Sequence, residues 1–133
     1  MNIGAAARGS GVSQRMIRHY EQIGLIPAAP RRQGGYRDYS DADVHRLRFI
    51  ANARDLGFPI AEIRALIDLW DDRSRSSAEV KALVQARSAE IGRRIAALEA
   101  MRSTLDDLAS RCHGDGRPDC PILDRLAMEE WEG

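Results

Sequence analysis

Between Ser77 and Ser110 the chain runs without a proline, with Gly92 as the lone glycine in the stretch. Val84, Ile91, Leu98 and Leu105 recur every seven residues, and Val80, Ile95, Met101 and Leu108 lie beside them. That spacing predicts one helix about 50 Å long, at about 1.5 Å per residue, carrying an apolar heptad seam. A seam of this length exposes more apolar surface than the rest of a 133-residue chain has material to cover. Self-association as a two-stranded coiled coil, giving a homodimer, is the simplest way to bury it.

The segments ahead of this helix are short and clearly punctuated. Asn2 to Arg8 reads as a first helix ended by Gly9-Ser10-Gly11. Ser13 is placed to cap a second helix, in which Met16, Ile17, Tyr20 and Ile23 are apolar and Gly24 is the stop. Helix, glycine-containing turn and helix within some 24 residues make a helix-turn-helix pattern. Pro27 and Pro30 interrupt the chain, and Gly34-Gly35 followed by Tyr36-Arg37-Asp38-Tyr39 predicts a β-hairpin wing tipped with arginine and tyrosine. Ser40-Asp41 caps a further helix closed by Gly57, and Pro59 opens another that ends at Asp71-Asp72-Arg73-Ser74. Beyond the long helix comes the loop Cys112 to Cys120, and then a short helix, Pro121 to Met128, with Cys120 as its N-cap.

The expected fold is mainly α. It comprises a winged helix-turn-helix head (1–70), a dimerisation helix (77–110), and a metal-binding loop with a C-terminal helix (111–133).

Net charge is zero overall, but it is unevenly placed. Residues 1–54 hold nine arginines against four acids, a net +5, and residues 55–133 hold eleven basic and sixteen acidic side chains, a net −5. A basic head on an acidic body suits phosphate contact at one end. No apolar run is long enough to cross a bilayer and no signal-peptide pattern opens the chain, so the expected location is cytoplasmic, with no membrane partner. Nor is there a glycine-rich phosphate loop, a His-x3-His pair or a nucleophile flanked by a base, and no enzymatic role is expected.

In a reducing compartment two thiols eight positions apart point to metal or redox chemistry. Two thiolates, from Cys112 and Cys120, suit a soft monovalent ion in linear coordination: Cu(I), Ag(I) or Au(I). Zn(II) prefers four ligands, and His113 leaves open a three-ligand site shifted toward Zn(II) or Cu(II). A disulfide between the two cysteines, and hence a thiol redox sensor, is the other chemistry open to this pair. A metal-buffering protein would also use two cysteines, but it would need neither an arginine-tipped head nor a long dimer helix.

Ile17-Arg18-His19-Tyr20-Glu21, Gly24-Leu25 and Gly35-Tyr36-Arg37-Asp38-Tyr39, with the long heptad behind them, resemble the mercury-resistance regulator (MerR) family. Ser77-Ala78-Glu79-Val80-Lys81 and the Cys-x7-Cys-Pro loop resemble its copper-efflux branch. The resemblance implies a dimer joined by an antiparallel coiled coil and bound to double-stranded promoter DNA. Metal binding would then bend and untwist the DNA so that RNA polymerase engages promoter elements held by an overlong spacer. By position it assigns Gln14, Arg15, Arg18 and His19 to the groove-facing side. Arg18, Tyr20, Arg31, Tyr36, Arg37, Tyr39 and Arg54 become candidate contacts to the DNA backbone. Ser77 stands where sensors of divalent metals carry a cysteine donated by the partner subunit, and Lys81 would lend positive potential to the metal loop.

Overall fold

The computed structural model describes residues 1–131; the last two residues of the expected C-terminal segment lie outside the described residues. The chain divides into two compact units, Met1–Leu83 and Val84–Gly133. The first contains α1 (Ile3–Ser10), α2 (Gln14–Gln22), α3 (Asp41–Asp55) and α4 (Ile60–Asp71). The division falls within α5 (Ser77–Ser110), and α6 (Pro121–Leu126) lies in the second unit. Among the described residues no helix is long and apolar enough to cross a membrane.

Each helix of the first unit starts where a side chain satisfies an orphan backbone donor, α4 excepted. The Asn2 side chain accepts from Ala5 N, and the Ser13 hydroxyl accepts from Met16 N at 3.2 Å. Gly11 ends α1 with φ of 76°, a left-handed conformation that a side chain would strain, and so sets the tight turn into α2. Ser40 forms a reciprocal capping box with Asp43 at the start of α3, with bonds of 3.1 and 2.9 Å. Ser40→Ala is expected to lower unfolding free energy by about 1 kcal/mol. Urea denaturation of the chain and the variant measures it; an unchanged midpoint would show that the box contributes nothing.

The core of this unit joins all four helices through Ala6, Ile17, Leu47, Ile50 and Ile63, none of which is exposed. Ser10 is buried but not orphaned: its hydroxyl donates to Ala6 O at 2.7 Å and accepts from Val12 N at 3.2 Å. Arginines from later helices tie down the helix-turn-helix. Arg64 of α4 donates to Ile23 O at 2.8 Å and to Gly24 O at 3.3 Å, capping the C-terminal end of α2. Arg48 of α3 donates to Gly9 O.

Two expectations are refined. The expected β-hairpin wing is a chain reversal closed by a single antiparallel bridge, Arg31 with Arg37, with no longer ladder among the described residues. Arg32 N donates to Tyr36 O at 2.6 Å and Asp38 N donates to Pro30 O at 2.7 Å. Pro30 has no N–H with which to return the second bond, so the ladder stops there. Gly34 and Gly35, with φ of 98° and 87°, make the reversal. The final helix, expected through Met128, ends at Leu126 with Ala127 as its C-cap.

In the second unit the heptad residues of α5 are largely uncovered. Leu98 and Leu105 are each 63% exposed, and Ile95 and Met101 are also exposed. Leu108 is the buried residue of the helix, and it lines an apolar groove with Met101, Leu105, Leu126 and Trp131.

Candidate DNA interface and metal loop

The helix-turn-helix presents one face of α2 to solvent. Gln14, Arg15, Arg18 and His19 are all exposed, while Ile17 and Tyr20, on the other side of the same helix, are buried. Arg15, Arg18 and Arg54 form no ion pair among the described residues, so their guanidinium groups remain available. Other arginines of the head are already engaged. Arg46 makes a bidentate pair with Asp71 at 3.0 to 3.1 Å. Arg32 lies 2.7 Å from Asp38, and with the Met1 ammonium group it holds that carboxyl below its ordinary range. The positive charge counted in the sequence is therefore partly committed to internal structure.

Arg31, Tyr36 and Arg37 sit on the wing reversal. Tyr36 is 74% exposed, and Arg31 is exposed with one bond to Gly35 O at 3.1 Å. A cleft of about 500 Å³ separates α2 from the wing; Arg18, Gln22, Tyr36 and Arg37 are among its lining residues. Arg18 lines it from α2 and Arg37 from the wing, and Glu21, to which Arg37 is paired, lines it as well.

The two remaining tyrosines do not fit the expected role. Tyr39 is 2% exposed, and its hydroxyl donates to Glu21 Oε1, so it is not free to reach a phosphate. Burial, reinforced by the neighbouring Glu21 carboxylate, pushes its hydroxyl up to about 12. Tyr20 is 3% exposed and belongs to the core. The alternation of aromatic and basic residues suggested surface tyrosines, yet both of these belong to the buried core of the head.

Glu21 is the head residue that sequence reasoning missed. Its side chain is 7% exposed and receives Tyr39 from the wing, Arg37 Nη1 at 3.3 Å and Ala29 N at 3.3 Å. Its partners lie 8 to 18 positions away, so no local pattern reveals the contact; the available signal was a lone acid in an arginine-rich stretch.

The candidate metal loop joins α5 to α6. Cys112 and Cys120 bound it, and both are half-buried free thiols. Cys112 N donates to Ala109 O at 3.2 Å, continuing the last turn of α5. Asp115 accepts from Arg117 N at 2.9 Å, a local turn, and Gly114 takes φ of 65°. Cys120 is the N-cap of α6 and Pro121 its first residue, as expected, although the thiol makes no capping bond. His113 is exposed. Among the described residues no three His, Cys, Asp or Glu side chains come together in a way that could hold a metal ion. Ser77 and Lys81 are exposed at the start of α5, whereas Cys112 follows its end.

Residues 1–70 match the MerR HTH family regulatory protein family, and residues 44–108 match the family described as MerR, DNA binding. The HTH-type transcriptional regulator HmrR of Sinorhizobium medicae is 58% identical over 96% of this chain and 86% of its own length. The HTH-type transcriptional regulator CueR of Salmonella typhimurium is 39% identical over 96% and 92% respectively. In three dimensions the chain is similar to the transcription regulator PbrR691 of Ralstonia metallidurans CH34, solved in complex with lead(II). The TM-score is 0.85 and the identity 33%, covering 96% of this chain and 99% of that one. The architecture of a winged helix-turn-helix head with a coiled-coil dimer helix is common to such regulators. The chain belongs to the MerR family of helix-turn-helix transcription regulators, a regulator and not an enzyme.

Proposed function

We propose that this chain is a cytoplasmic Cu(I)-responsive transcription activator that binds promoter DNA as a homodimer. The observation that carries this reading is the donor set: two free, half-buried thiols bounding one short loop, with no third ligand gathered beside them among the described residues. Zn(II) and Pb(II) are satisfied by larger donor sets, whereas two thiolates complete the coordination of a closed-shell monovalent ion such as Cu(I), Ag(I) or Au(I). The similarity to CueR supports the same branch, and the similarity to the heavy metal-dependent transcription regulators of Rhizobium meliloti supports a heavy-metal response more broadly.

Cys112 and Cys120 would hold the ion, which would supply a soft acceptor for two thiolates. With both sulfurs engaged, the end of α5 and the start of α6 would be tied through the loop. A pair of thiolates on one monovalent ion carries a net negative charge that burial disfavours unless it is compensated. In an antiparallel dimer the partner's α5 begins where this chain's α5 ends. Lys81 of the partner subunit would then bring positive potential to the loop, and Ser77 would leave out the thiolate that a divalent ion needs.

In the first unit Gln14, Arg15, Arg18 and His19 enter the major groove, and Arg31, Tyr36, Arg37 and Arg54 hold the backbone. Rearranging the two loops re-aims the two heads, which bend and untwist the DNA between them and present the promoter to RNA polymerase. Such deformation costs a few kcal/mol, within reach of the differential binding of a tight metal site.

Anaerobic titration of the reduced protein tests the reading. Cu(I) is expected to bind once per chain and to survive competition with a Cu(I)-specific chelator, while Zn(II) and Pb(II) are displaced by weak chelators. Retention of zinc or lead with rejection of copper would overturn the assignment. Oxidation of the two thiols to a disulfide that activates transcription without metal would replace it with a redox switch.

A further inference from the structure

Glu21 stands on α2 three positions beyond Arg18, so the two side chains are neighbours on the helix surface. An acid on a DNA-facing surface repels phosphate, and such positions are ordinarily neutral or basic. This carboxylate is buried, and both of its oxygens are engaged. Oε1 accepts from the Tyr39 hydroxyl, and Oε2 takes Arg37 Nη1 and Ala29 N, each at 3.3 Å. Arg37 Nη1 also donates to Ala29 O at 3.0 Å. One carboxylate thus joins α2, the segment behind it and the return limb of the wing. The wing lacks a strand ladder of its own, being closed by a single bridge, so its position must be fixed by interactions of this kind.

We propose that Glu21 is a positioning residue for DNA recognition: it sets the offset between Arg18 of α2 and the wing residues Tyr36 and Arg37, which line one cleft. The inference rests on the DNA-binding reading and deepens it. It also reverses a sign. Removing a negative charge near DNA ordinarily strengthens binding to any sequence. Removing this one loosens the wing, so binding to the cognate site weakens even though the head becomes more positive. Binding to unrelated DNA, which needs charge but not register, keeps the ordinary sign.

The test uses the full chain and a duplex that the wild-type protein selects from a randomised pool, with a scrambled duplex of equal length beside it. Fluorescence anisotropy over a salt series gives both affinity and slope. Glu21→Gln is expected to bind the selected duplex about tenfold or more weakly, and the scrambled duplex as tightly as wild type or more so. The salt slope on the selected duplex should fall by about one for each phosphate that the loosened wing no longer neutralises. Unfolding would lower both affinities together, and thermal melting identifies it. Tyr39→Phe removes one donor to Glu21 without changing charge, and it should show a smaller drop in affinity confined to the selected duplex. A folded Glu21→Gln or Tyr39→Phe protein with undiminished affinity for that duplex overturns the inference alone. A wild-type protein that selects no duplex overturns the DNA-binding reading, and this inference with it.

Discussion

Cys112→Ser is expected to leave promoter affinity within about twofold of wild type while abolishing Cu(I)-dependent transcription. Serine matches the shape of cysteine, but its hydroxyl stays protonated at neutral pH and is a hard donor, so the variant offers one soft ligand where two are needed. Cys112 lies in the second unit, whereas the exposed arginines of α2 lie in the first, so the substitution alters no DNA-facing group. Turning a regulator from almost fully off to almost fully on requires about 5.5 kcal/mol of differential binding. A single thiolate can be saturated equally well in either state of the loop, and so supplies no such difference. In vitro transcription with purified polymerase and the target promoter, run beside anisotropy on the same duplex, separates the two effects. Normal copper activation by Cys112→Ser would remove the thiolate switch from consideration.

His113→Ala is the informative control. The side chain is exposed, and its neighbour in sequence already occupies the proposed site. Adjacent residues rarely reach one centre without strain, so activation and copper affinity are expected to be unchanged. A marked fall in affinity would instead indicate a three-ligand site and move the preference toward zinc.

Much of the helical framework is legible in the residues. Ser77 and Ser110 bound α5 as expected because nothing between them interrupts the helix and its pattern has one dominant period. Ser13 and Ser40 act as caps as expected, because capping depends on local side-chain chemistry, which a sequence displays directly; the first helix, read as Asn2 to Arg8, instead runs Ile3–Ser10 with Asn2 as its cap. What stays hidden depends on tertiary structure. The wing's ladder is cut short at one end by the missing N–H of Pro30 and at the other by the turn, where Gly35 N donates to Arg32 O, features that show only once the pairing is known. Tyr36 and Tyr39 belong to the same short motif, yet one is exposed and the other buried. Arg46, Arg48 and Arg64 are indistinguishable from DNA-binding arginines until Asp71, Gly9 and the end of α2 are seen to engage them. The cysteines are conspicuous by scarcity, and the structure adds that they stand at the two ends of one loop, free and half-buried.

Leu98→Glu combined with Leu105→Glu is expected to convert the dimer to monomers at any practical concentration. Both leucines are 63% exposed, so their replacement takes little from the fold of a single chain beyond the apolar groove that Leu105 lines with Leu108 and Leu126. In the paired helices the seam would bury each of them, together with Ile91 and Ile95. At about 1.5 kcal/mol for each leucine, four such side chains across a two-fold interface contribute about 6 kcal/mol. Removing them raises the dissociation constant by roughly four powers of ten, before the cost of placing four carboxylates in the seam is added. The first unit, with its own core, should melt at an unchanged temperature, because its buried residues lie elsewhere. Sedimentation velocity measures the monomer directly. Affinity for a two-half-site duplex should fall with it, because each head then binds alone and without the advantage of being linked to a second. A variant that still sediments as a dimer would show that the seam faces its own chain and that another surface joins the two copies.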